Sequence, residues 1–123
     1  MEDAERIGRE ITALRADDPR TRVAVTGGIN RPPMERTADV VRLFELARAV
    51  AEGQGWKLEE GMTGGGSDGN FTAALGVPTL DGLGAVGDGA HALHEHVVIK
   101  DLAPRAALVA GLLERLGDNG WRS

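Results

Sequence analysis

The sequence predicts an α/β fold, and three observations carry that expectation. Apolar residues recur at helical spacing over residues 3–16, 37–52 and 102–116. Short apolar or alternating runs at 21–26, 56–60, 77–80 and 97–99 suit strands. With a short helix at 71–75, the order reads helix–strand–helix–strand–helix–strand–strand–helix, which implies α/β layering.

Each element has a local reason. Ala4, Ile7, Ile11 and Leu14 form the stripe of an amphipathic first helix, which the Asp17-Asp18-Pro19 cluster ends. Val23 and Val25 alternate with polar residues in the first strand, and Gly27-Gly28 closes it. Asn30-Arg31-Pro32-Pro33 is a stiff extended connector, because each proline fixes its own φ and restricts its predecessor. In the helix at 37–52, Val40, Val41, Phe44, Ala47 and Val50 line one side, Thr37 suits the N-cap, and Gly53 and Gly55 end it. Trp56 and Leu58 share a face of the next strand. Gly76 stops the helix at 71–75, and the strands at 77–80 and 97–99 follow. Asp101 caps the last helix, with Pro104 in its tolerant first turn and Leu108, Val109, Leu112, Leu113 and Leu116 on its apolar side. Gly117 is its expected stop, and the tail beyond is polar apart from Trp121.

Composition excludes several functions. The formal charge is −5 with acids and bases mixed along the chain, so no basic stripe offers itself to nucleic acid. There is no cysteine, which rules out disulfides and thiolate metal sites. No apolar run is long enough to span a membrane, no signal-peptide pattern opens the chain, and a cytoplasmic location is expected. With so few aromatic residues, the core must be aliphatic and rich in alanine.

The segment from 64 to 97, GGGSDGNFTAALGVPTLDGLGAVGDGAHALHEHV, holds all three histidines and most of the unusual composition. Glycines gather where backbone takes positive φ or approaches another group closely, so this density marks a site. Three ordered signals stand in it: GGxSDxN, GxPTLDGLG, and Gly89-Ala90-His91 with a glutamate four residues on. Together they resemble the C-terminal part of the co-catalytic zinc exopeptidases, the family of glutamate carboxypeptidases, acetylornithine deacetylase and succinyl-diaminopimelate desuccinylase. The resemblance extends from about Val23 to Leu116.

That resemblance assigns roles. Arg31, by itself a solvated charge on a linker, matches the family's arginine before proline that grips a substrate carboxylate, a task suited to a planar guanidinium. Gly65, Gly66, Ser67 and Asp68 are expected to bind substrate through amides and a hydroxyl, while Ser67 or Asp68 equally suits the N-cap of the short helix. His91 matches the family's C-terminal zinc ligand. Glu95 suits a supporting hydrogen bond rather than ligation, and His94 and His96 are expected to face solvent. No Gly-Lys-Ser/Thr or HExxH pattern is present, which excludes a P-loop and argues against a zincin; residues 65–69 do read GxSxG, but no histidine is obviously paired with Ser67, which argues against a serine hydrolase.

The family's two-zinc centre needs further ligands and a glutamate base, and Glu59-Glu60 is not placed to replace them. The resemblance therefore implies a partial zinc-exopeptidase catalytic domain behind a helix–strand remnant of the lid. Residues 1–29 would end the lid or dimerisation domain, 30–36 form the crossover linker, and 37–123 form the C-terminal part of the catalytic domain. The implied parent reaction is hydrolysis of an amide next to a free carboxylate by metal-activated water. Its substrate would be a small peptide or N-acyl amino acid. By itself the chain is expected to be inactive and to hold zinc weakly or not at all. A non-catalytic binding domain on the same fold, or a small enzyme using His91, His94 and Glu95, are the alternatives. Neither nucleic acid nor membrane is an expected partner. A homodimer is, with Ile7, Ile11, Val23 and Val25 near the contact, because one helix and one strand cannot cover each other.

Overall fold

The computed structural model describes residues 1–119, so the tail with Trp121 lies outside the described residues. Helices and one small sheet make a mixed α/β structure. The chain divides into two compact units: Met1–Glu35 with Gly65–Val77, and Arg36–Gly64 with the residues from Pro78 onward.

The first unit holds α1 (Glu2–Thr12) and the short α3 (Gly69–Ala74). Glu2, Asp3 and Glu5 stand in the first turn of α1 and Arg9 in the last, each complementing the helix dipole. Arg6 pairs with Glu10 at 2.8 Å and Asp3 at 3.2 Å along its exposed side. The helix stops four residues before the predicted end at residue 16. Thr12 turns its hydroxyl back onto the carbonyls of Gly8 and Arg9, and the Arg15 guanidinium takes the Leu14 carbonyl at 2.8 Å. Asp18-Pro19-Arg20-Thr21 then forms a tight turn closed by the Thr21 amide on the Asp18 carbonyl at 2.9 Å. No residue of α1 is buried, and Ile7, Ile11 and Leu14 remain about half exposed, as the unpaired stripe predicts.

The second unit is organised by α2 (Ala38–Gly53) against α4 (Leu102–Asn119). Thr37 caps α2 as expected, its hydroxyl accepting from the Val40 amide at 3.3 Å. The end of α2 is a Schellman motif: the Trp56 amide donates to Ala51 O and the Gly55 amide to Glu52 O, with Gly55 at φ +85°. The core joins Leu43, Ala47, Val50 and Ala51 to Leu108 and Leu112, with Trp56, Leu58, Leu80 and Leu83 packed around it. The face of α2 that is buried thus differs from the predicted stripe: Val40, Val41 and Phe44 are half-buried, and Leu43 and Ala51 are inside. Apolar residues cover much of α2, so the contact with α4 selects the face. On α4, Leu108 and Leu112 are buried while Leu113 is exposed. The helices meet at Gly111, where a Cβ would lie 2.8 Å from Val50 Cγ1. Gln54 adds a polar tie, donating to the Ala107 carbonyl at 2.9 Å. Gly117 does not stop α4, which runs to Asn119; glycine weakens a helix by about 1 kcal/mol but ends one only where it turns left-handed.

The strands differ most from expectation. Residues 21–26, 56–60 and 77–80 carry no ladder, and the predicted strand at 97–99 contributes only its first residue. The sheet among the described residues is the antiparallel pair β1 (Gly87–Asp88) and β2 (His96–Val97), with Gly87 opposite Val97 and Asp88 opposite His96. Alternation makes a segment fit for a strand, but a ladder needs a second backbone about 4.8 Å away. Only the 87–97 hairpin brings its partner by a local loop. A 3-10 turn, Ile99–Asp101, leads from it into α4. Among the described residues no helix is long and apolar enough to cross a membrane.

Candidate functional site

In the first unit the glycine loop closes on the Arg31 connector. The Arg31 guanidinium lies 4.9 Å from the centroid of the Phe71 ring, and its Nη1 donates to Asp68 Oδ1 at 3.0 Å. Its Nε and Nη2 donate to no group among the described residues. The Asp68 side chain is 94% exposed and that of Arg31 39%. An ion pair this open contributes about 0–1 kcal/mol, so its carboxylate exchanges readily for another. Gly66 gives the arginine its room: a Cβ there would stand 2.9 Å from Arg31 Cδ.

The loop is held from within. Ser67 N–H donates to Asn70 Oδ1 at 2.7 Å, and Gly69 N–H donates to the Ser67 hydroxyl at 3.0 Å. Asn70 Nδ2 reaches the Pro32 carbonyl at 2.8 Å. These bonds divide the two roles expected of Ser67 and Asp68. Asp68 stands at the N-cap position but in helical conformation and makes no capping bond; its carboxylate serves Arg31 instead. Ser67 secures the turn, and its amide is spent on Asn70. Gly65 and Gly66 are exposed. The helix ends as predicted at Gly76, with φ +80° and its amide on the Ala73 carbonyl at 2.9 Å.

In the second unit His91 sits in the hairpin loop between β1 and β2. It is the non-glycine residue with positive φ, at +67°, among the described residues. A left-handed conformation costs an ordinary residue roughly 1–2 kcal/mol, and such positions gather at functional sites. Glu95 steadies it: its carboxylate accepts the His91 backbone N–H at 3.3 Å. The expected supporting bond from Glu95 thus goes to the backbone. His94 and His96 are exposed, and His96 Nδ1 lies 3.0 Å from the His94 carbonyl.

Among the described residues no three His, Cys, Asp or Glu side chains come together as a metal site. His91 offers one imidazole, so these residues by themselves do not fit a two-zinc centre. Three contributors were given no role by the sequence. Asn70 ties Pro32 to Ser67, and the Phe71 ring lies under the Arg31 guanidinium. Arg105 clamps the GLG turn, its guanidinium donating to the carbonyls of Gly82 and Gly84 (the latter at 2.8 Å) and lying 5.9 Å from the Trp56 ring centroid. Asn70 had a signal as the last residue of the GGxSDxN motif, though no role was assigned to it; Arg105 had none.

Comparison with known proteins places the chain in a family. The profile of Peptidase family M20/M25/M40 matches residues 6–115. The succinyl-diaminopimelate desuccinylase of Xanthomonas euvesicatoria pv. vesicatoria (strain 85-10) is 36% identical over 117 residues, 93% of this chain and 30% of that protein. The enzyme of the same name from Xanthomonas oryzae pv. oryzae (strain PXO99A) is 38% identical over 117 residues. That of Thioalkalivibrio sulfidiphilus (strain HL-EbGR7) is 37% identical over 80 residues, 65% of this chain and 21% of the relative. The chain therefore spans less than a third of the length of the curated relatives it matches. No solved structure matches it significantly. Arg31, the glycine loop and His91 all fall inside the matched region, and the chain belongs to Peptidase family M20/M25/M40.

Proposed function

We propose that this chain is part of a zinc-dependent amidohydrolase or carboxypeptidase that cleaves an amide next to a free carboxylate. Arg31 binds that carboxylate beside Gly65, Gly66, Ser67 and Asp68, and His91 supplies one ligand to the metal centre. The observation that carries the reading is the convergence of Arg31 on the glycine loop, where its Nη1 meets the exposed Asp68 carboxylate and, among the described residues, the rest of its fork is open. A small N-acyl amino acid or peptide is the substrate class, and the relatives' name makes a succinyl amide the first choice. By itself the chain is read as inactive.

Residues 1–29 are read as the end of a lid domain, 30–36 as the crossover and 37–123 as part of the catalytic domain. The exposed stripe of Ile7, Ile11 and Leu14 and the exposed Val23 and Val25 support a homodimer through the first segment. A monodisperse monomer in sedimentation across a wide concentration range would remove that part of the proposal. The absence of cysteine suits the cytoplasm. The test of the carboxylate role is Arg31→Lys in a complete enzyme carrying this sequence. It keeps the charge but loses the fork, so KM for succinyl amides should rise with little change in melting temperature. Unchanged kinetics with a lowered melting point would make Arg31 structural.

A further inference from the structure

We propose that Asn70 is a positioning residue that sets Arg31 for carboxylate binding; the inference rests on the reading of Arg31 given above. Asn70 is 8% exposed and is the buried polar side chain among the described residues. A buried amide is costly unless its donor and acceptor are both used. Both are: Nδ2 donates to the Pro32 carbonyl at 2.8 Å, and Oδ1 accepts the Ser67 amide at 2.7 Å. Only this orientation of the amide satisfies both partners. It ties the carbonyl one residue after Arg31 to the amide one residue after Gly66.

Arg31 and Gly66 approach closely, since a Cβ on Gly66 would lie 2.9 Å from Arg31 Cδ. The Asn70 tie therefore fixes the start of the arginine side chain. The next residue, Phe71, holds the far end, with its ring 4.9 Å from the guanidinium. Packing does not account for the burial of Asn70. It is the buried residue of α3, whereas Phe71 is 44% and Leu75 83% exposed. The short helix is joined to the Arg31 segment by a polar clamp and a cation–π contact. Such a joint fixes direction, which a bidentate carboxylate bond requires.

The test uses the full chain and succinate as the probe. Titration is followed by calorimetry and by the Arg31 Nε–H resonance. Arg31→Lys should weaken succinate binding. Asn70→Ala should weaken it about tenfold, the scale of one well-placed hydrogen bond. Asn70→Ala added to Arg31→Lys should cause no further loss, because Asn70 acts through the arginine. Asn70→Asp, which keeps the acceptor for Ser67 but loses the donor to Pro32, should also bind weakly. If Arg31→Lys weakens binding while either folded Asn70 variant binds as the parent does, the inference fails and the carboxylate reading stands. Additive losses, or failure of both Asn70 variants to fold, would make Asn70 merely structural and overturn the inference. If the parent chain does not bind succinate, or Arg31→Lys changes nothing, the reading of Arg31 falls and the inference with it.

Discussion

Gly66→Ala should disarm Arg31 while leaving the fold nearly as stable. The new Cβ would lie 2.9 Å from Arg31 Cδ and 3.8 Å from Nε. Carbon atoms rest about 3.5–4.0 Å apart, so the arginine stem must retreat by roughly 1 Å. The Nη1–Asp68 bond, now 3.0 Å, then passes beyond hydrogen-bond range, and the guanidinium slides off Phe71. The lost ion pair is worth about 0.2–1 kcal/mol and the exposed cation–π contact about 0.5–1 kcal/mol. Gly66 is not left-handed, so alanine is allowed there. Removing glycine's freedom in the unfolded chain returns about 0.4–1 kcal/mol. The net change should stay within about 1 kcal/mol in urea unfolding followed by circular dichroism. The Arg31 Nε–H resonance should lose the ring-current shift from Phe71, and succinate affinity should fall. An unmoved resonance, or a stability loss above about 2 kcal/mol, would mean that the backbone rather than the arginine yields.

Gly111→Ala should destabilise the chain by about 1 kcal/mol, because overpacking against Val50 (about 1–3 kcal/mol) exceeds the gain in helix propensity of about 0.8–1 kcal/mol. Adding Val50→Ala should recover part of that loss, and strictly additive unfolding free energies would refute the close approach. Arg36, at 2.9 and 2.8 Å, holds the Glu60 carboxyl below its ordinary range, chiefly by direct hydrogen bonding. A lowered carboxyl pKa makes its contribution to stability full above the ordinary glutamate range and lost as pH falls through the lowered value. Arg36→Gln should return the Glu60 titration upward in carboxyl carbon NMR, and an unchanged midpoint would contradict the pairing. With zinc or cobalt added, the chain should not hydrolyse N-succinyl or N-acyl amino acids; turnover abolished by His91→Ala would reverse that expectation. Zinc should bind weakly in calorimetry, and a tight one-to-one site lost in His94→Ala or His96→Ala would show that the hairpin histidines act together.

Features set by neighbours in sequence were legible. Thr37 caps α2 and Gly76 ends α3 because capping and left-handed turns involve only a few adjacent residues. The apolar spacing of α2 and α4 was plain, but which side is buried was not, since Leu43 and Ala51 went inside at the expense of Phe44. Residues 21–26 read as a strand from Val23 and Val25, yet alternation says nothing about whether a partner strand is near. The β1 segment, Gly87–Asp88, has no strand propensity and was missed; its pairing comes from the loop around His91.

The sequence by itself determined the family and the helices and pointed to a candidate site, because motif order, helical period and caps are properties of short stretches. Only the tertiary structure decided what those residues touch. Arg31 meets Asp68 across 37 positions, and Asn70 meets Pro32 across 38. Contacts of that separation depend on how the whole chain closes, and no local propensity encodes them. The same holds for Asp68, whose spacing suits a helix cap but whose carboxylate goes to the arginine once folding has brought the connector beside the loop.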